Sequence, residues 1–159
     1  EILDQKWILL NTLANISDEL DDNEKSLEYH NLALEIAGKM QDDYNNGIYT
    51  LNNIAYVKRK QGNYAEAKEI FQRILEQENL FEEDPSFYAL ILENLAYTNF
   101  LTGNYNKDIV IDMFNRSYKI SDSLGDLPTK AGSVISMAKF FNSTNNRKKS
   151  LSYAEEAYD

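Results

Sequence analysis

The chain has 159 residues, no cysteine and a formal net charge of −10. That length suits one domain or one solenoid with room for a sizeable core. The missing cysteine excludes disulfides, thiolate catalysis and cysteine metal sites. No run of about 18 apolar residues offers a transmembrane span, and the acidity argues against nucleic acid as a direct partner. Oxidising and reducing compartments both fit, so localisation stays open.

In chain order the pattern predicts helices throughout. Ile2–Leu20 is the first, with Trp7 a packed residue at its open end. Asp21-Asp22-Asn23 is a turn, with Asn23 as cap of the second helix, Glu24–Met40, which ends near Gln41-Asp42. Tyr44–Gln61 and Tyr64–Asn79 are joined by Gly62-Asn63, residues that tolerate a left-handed backbone. Phe81-Glu82-Glu83 is a longer loop. Asp84-Pro85 opens the fifth helix, with Asp as cap and Pro in the first turn. The sixth runs from about Lys107 to Leu124 and stops at Gly125-Asp126. Pro128 opens the seventh, and the eighth begins near Arg147 and is still helical in pattern at Tyr158. With no stop signal there, and no Met before Glu1, the chain reads as a piece of a longer protein.

Charge is uneven, +2 over residues 127–159 and −12 over residues 1–126. The acidic clusters Asp18-Glu19, Asp21-Asp22, Asp42-Asp43 and Glu82-Glu83-Asp84 sit at predicted turns, where acids favour helix N-termini and solvation.

A single helical hairpin cannot bury both apolar faces, and this chain repeats the hairpin. Thr12–Asn15 (TLAN), Asn53–Tyr56 (NIAY), Asn94–Tyr97 (NLAY) and Ser136–Lys139 (SMAK) align, with Ala14, Ala55, Ala96 and Ala138 spaced by 41, 41 and 42 residues. Their small side chains let helix backbones approach closely. The second helices repeat as well: Ser26, His30, Ala33; Ala67, Phe71, Ile74; Val110, Phe114, Ser117; Ser150, Ala154, Ala157. The third turn, after Gly103-Asn104-Tyr105, needs about two extra residues to hold this register. The repeats span residues 2–41, 44–79, 84–124 and 127–159.

These residues resemble the tetratricopeptide repeat (TPR) family over essentially the whole chain. Ala55, Gly62-x-Tyr64, Ala67, Phe71 and Ile74 carry the resemblance, and Gly103-x-Tyr105 repeats part of it. Leu51 stands where the family usually has Trp, Ala where it has Gly, and His30 and Ala154 where it has Phe. The period is similar to that of longer-repeat regulatory members. The resemblance implies an all-α, right-handed superhelical solenoid of four hairpins and eight helices, forming a single domain over residues 1–159. It also implies a non-enzymatic scaffold whose concave face binds an extended peptide or a partner helix.

No catalytic constellation is visible: there is no His-Glu-x-x-His, no phosphate loop and no nucleophile beside a base. No cofactor or metal is expected, and His30, the one histidine, reads as a packed structural residue. On the groove reading, the first helices stack side chains in rows. Asn11, Asn52, Glu93 and Ile135 form one row, and Asn15, Tyr56, Tyr97 and Lys139 the next. Asp18, Arg59, Phe100 and Asn142 form a third, flanked by Thr12, Asn53, Asn94 and Ser136. Asn offers a donor and an acceptor to a peptide amide, and Tyr adds flat area with a polar tip. Mid-helix Asn costs helix propensity, which favours a binding role over a merely solvated face. Arg59 and Lys139 are the only basic residues of these rows, too few for a groove that clamps acidic tails. The expected partner site is therefore Asn11, Asn15, Asn52, Asn53, Tyr56, Arg59, Glu93, Asn94, Tyr97, Phe100 and Lys139. An alternative is the sensory or oligomerising segment of a larger bacterial signal-transduction or transcription regulator. The last helix should leave a Leu151, Ala154, Tyr158 stripe open, and Trp7 with Leu10 a second patch, giving weak self-association.

Overall fold

The computed structural model describes the backbone of residues 1–40 and 44–158 and the side chains of residues 1–40 and 46–156. The expected end of the second helix near Gln41-Asp42, the Asp42-Asp43 pair and the Tyr158 side chain lie outside that range. Among the described residues every regular element is a helix, and the chain forms two compact units, Glu1–Ile74 and Leu75–Asp159.

The first unit is built from α1 (Ile2–Glu19), α2 (Asn23–Ala37), α3 (Tyr44–Lys60) and α4 (Tyr64–Leu75). Ala14, Ala33, Ala55 and Ala67 are wholly buried, so helices meet where side chains are smallest, and Phe71 and Ile74 fill the space beside them. Side-chain bonds near both ends tie α1 to α3. The Trp7 indole N–H donates to Thr50 Oγ1 at 2.8 Å, and Lys60 Nζ donates to Asp18 Oδ1 at 2.7 Å. Gly62, at φ 81°, makes the turn into α4, and the Lys58–Glu66 ion pair at 2.6 Å spans that turn. The cap of α2 differs from expectation. It is Asp22, whose carboxylate accepts from the Lys25 N–H at 3.1 Å, because the helix starts at Asn23. Trp7 turns its indole inward, and the exposed large apolar side chains of α1 are Ile2, Ile8, Leu9 and Ile16, with Leu20 at its C-cap.

The second unit holds α5 (Leu80–Glu83), α6 (Pro85–Leu101), α7 (Lys107–Leu124), α8 (Leu127–Ser143) and α9 (Arg147–Tyr158). Here α5 replaces the expected loop at Phe81-Glu82-Glu83. Helix α4 stops at Leu75, Asn79 takes a left-handed φ of 63°, and buried Leu80 anchors one new turn. Asp84 caps α6 as expected, accepting from the Phe87 N–H at 2.9 Å. The extra residues of the third turn end in Asn106, whose side chain accepts from the N–H groups of Asp108 and Ile109. The core gathers Ala96, Val110, Phe114, Met137, Phe140 and Phe141. Where α6, α7 and α8 converge, the residues are small. Ser117 Oγ donates to the Ala89 carbonyl at 2.7 Å and lies 2.8 Å from Ser133 Oγ. A hydroxyl there satisfies a helix carbonyl without pushing the helices apart.

Candidate functional site

In the first unit, α1, α2 and α3 enclose an open cleft of about 230 Å³. Asn15, Asp18 and Glu19 come from α1, His30 from α2, and Asn53, Tyr56 and Val57 from α3. Asn15, Asn53 and Tyr56, expected in the partner site from their repeat positions, therefore face one cavity. Tyr56 is 42% exposed, and the Arg59 guanidinium carbon lies 5.1 Å from its ring centroid, holding the ring by a cation–π contact. The Asn52 amide donates to Asn53 Oδ1 at 3.3 Å, orienting Asn53.

Asn11 behaves differently from its expected role. It is buried, its amide Nδ2 donates to the Trp7 carbonyl at 3.0 Å, and its Oδ1 sits 2.9 Å from His30 Nδ1. With the amide so oriented, Oδ1 accepts and His30 Nδ1 carries the proton. The imidazole is 1% exposed and floors the cleft. Burial lowers its pKa from the ordinary 6.5 to about 4, with Asp18 opposing the shift. The ring is therefore neutral at pH 7. The packed role expected for His30 holds, and the cleft gives it a second aspect. The sequence pointed only to an odd residue in an aromatic slot. Its pairing with Asn11, 19 residues away, carries no local signature.

In the second unit the rows divide. Glu93 is buried and accepts from Ser136 Oγ at 2.5 Å, and Asn94 is 6% exposed. Both side chains are drawn into the packing, because α6 is buried around most of its circumference. Phe100 joins the aromatic cluster, 5.5 Å from Phe140 and 5.8 Å from Tyr105 between ring centroids. Tyr97, Lys139 and Ile135 remain toward the surface, with Lys139 Nζ 5.6 Å from the Tyr97 ring centroid. Asn11, Glu93, Asn94 and Phe100 thus serve as internal supports, and Asn15, Asn53, Tyr56, Tyr97 and Lys139 are the presented side chains.

Among the described residues no group of three or more His, Asp or Glu side chains could hold a metal, and no helix is long and apolar enough to cross a membrane. Antiparallel helical hairpins repeated at a fixed interval, meeting at small residues and presenting Asn and Tyr, define a helical-repeat protein. The tetratricopeptide repeat profile matches residues 7–77 and 48–123, and the chain belongs to that family. Its repeats are of the kind that mediates protein–protein interaction.

Comparison with curated proteins finds no match. Solved structures do match. BtubC (BKLC) from P. vanneervenii is 18% identical with a TM-score of 0.75, over 98% of this chain and 63% of that one. A putative kinesin light chain of Podosopora anserina with nearly identical TPR-like repeats is 15% identical with a TM-score of 0.64, over 96% and 73%. A single-substitution variant of that kinesin light chain is 14% identical with a TM-score of 0.68, over the same shares. The chain thus spans less than two thirds of the length of BtubC. At these identities the likeness shows the fold, a TPR-like helical repeat.

Proposed function

We propose that this chain is a non-enzymatic protein-binding scaffold and that the first unit's cleft holds an extended segment of the partner. What supports the reading is the convergence of Asn15, Asn53 and Tyr56, contributed by two successive repeats, on one cavity. Asn amides can bracket a peptide bond as donor and acceptor, and the exposed Tyr56 ring offers flat apolar area with little entropy to lose. Tyr97 and Lys139 offer a similar surface in the second unit. A protein partner suits the charge of −10 better than nucleic acid does.

The test is selection from a displayed random peptide library, with binding then measured for Asn53→Ala and Tyr56→Ala. Both positions are away from the core, so melting temperatures should stay within a degree or two. Selected peptides should bind each variant about tenfold or more weakly, the effect of losing one good contact. Peptides that bind wild type and both variants equally would refute the assignment of the cleft.

A further inference from the structure

We infer that the first unit's cleft receives an arginine side chain of the partner, its guanidinium donating to His30 Nε2 on the floor and to the Glu19 carboxylate on the rim. This rests on the scaffold reading above and adds the chemistry of what enters.

The first observation is the tautomer. Asn11 Nδ2 donates to the Trp7 carbonyl, so Asn11 Oδ1 is the acceptor for His30 Nδ1–H. Nε2 is then a bare lone pair on a ring that is 1% exposed, and no described residue offers it a donor. His30 lines the cleft, so a donor that enters the cleft can take up this acceptor. The second observation is the rim. Asp18 is engaged by Lys60 at 2.7 Å, whereas Glu19 is exposed and forms no ion pair among the described residues. The third is the wall, the Tyr56 ring, which is 42% exposed although the Arg59 guanidinium carbon lies 5.1 Å from its centroid, so area remains against which a second planar cation can lie.

An incoming carboxylate would meet a lone pair and a negative rim. A neutral amide could satisfy His30 and leave Glu19 alone. A lysine ammonium is a compact, strongly hydrated charge. A guanidinium carries five donors in a rigid fork and is weakly hydrated, so it can reach a buried nitrogen and an outer carboxylate at once.

His30 is the single histidine, so its ring nitrogens and its Cε1 proton give unambiguous magnetic resonance signals. The experiment titrates 15N-labelled protein at pH 7 with the pentapeptide acetyl-Gly-Ala-Arg-Ala-Gly-amide, and with versions carrying citrulline, lysine or aspartate in place of arginine. The expected result is a saturable shift of the Nε2 signal with arginine, weaker binding with lysine and citrulline, and none with aspartate. Glu19→Gln, on an exposed position, should weaken the arginine peptide about two- to fivefold, the size of one partly exposed ion pair, and leave citrulline unaffected. Raising the ionic strength should weaken the arginine and lysine peptides and leave the citrulline peptide unchanged. No His30 response to arginine, or equal responses to arginine and citrulline, would overturn the inference. So would library peptides that need Asn53 and Tyr56 but show no preference for arginine, and that outcome would leave the scaffold reading standing. Failure of the scaffold reading looks different, as peptides indifferent to Asn53→Ala and Tyr56→Ala.

Discussion

Lowering the pH from 7 to 5 should destabilise the first unit through His30 alone. Its pKa is about 4 in the folded protein, and in the unfolded chain it returns to the ordinary 6.5. The folded pKa is the lower, so between these values the unfolded chain binds the proton and the folded protein does not. Stability is therefore fully present above pH 6.5 and is lost as pH falls toward 4. Each unit of pKa displacement is worth about 1.4 kcal/mol. Integrated from pH 7 to pH 5, the loss is about 2 kcal/mol, before most carboxylates take up protons. Urea denaturation at half-unit pH steps measures it, and the Cε1 proton of the single histidine reports the folded pKa directly. His30→Gln gives the control. Its stability at pH 7 will differ, but its stability should be nearly flat from pH 7 to pH 5. A histidine that titrates near 6.5 in the folded protein, or a wild-type curve as flat as that of the variant, would refute the reasoning.

Ala55→Leu and Ala96→Leu should each overpack a wholly buried contact and cost about 1–3 kcal/mol in urea denaturation. Ser117→Ala should cost about 1–3 kcal/mol in the same assay, because it strips a buried hydroxyl from the Ala89 carbonyl and from Ser133. Leu9 and Ile16 are exposed on α1. Sedimentation across a range of concentrations should show weak association that Leu9→Glu with Ile16→Lys abolishes, while a strictly monomeric wild type would count against an adhesive α1 face.

Much of the fold was legible because its determinants are local or periodic. The alanines recur at an interval of 41–42, and Ala14, Ala55 and Ala96 lie at wholly buried contacts. Gly62, Gly103 and Gly125 all take positive φ where turns were expected, and Asp84-Pro85 opens α6 with its cap in place. What escaped was set by competition between near-equal choices. Asp22 and Asn23 can both cap, and the starting residue of α2 decides between them. The single turn α5 exists because Leu80 finds a buried place, which no short window of sequence announces.

The site was half legible for a related reason. Helical periodicity says which residues share a face, but not how much of that face a neighbouring helix covers. Asn53 and Asn94 occupy equivalent positions one repeat apart. Asn53 lines a cleft, whereas Asn94 lies on a helix covered nearly all round. The excess of mid-helix Asn did signal a purpose. For Asn11 that purpose is to fix a histidine tautomer, a bond made across a hairpin and invisible to local pattern.

Four side-chain bonds between the first helices of successive hairpins span similar distances along the chain: Trp7 to Thr50 and Glu93 to Ser136 are 43 residues apart, Asp18 to Lys60 is 42, and Ser86 to Asp126 is 40. The entropy lost in closing a loop depends on the logarithm of its length, so these closures cost nearly the same. None of these bonds has to wait for a distant part of the chain to arrive. Bonds of such similar span between neighbouring hairpins favour folding that spreads from one hairpin to the next. Duplicating a hairpin gene segment would then lengthen the protein at a fixed entropic cost per copy, and the newest repeat would be no slower to fold than the oldest.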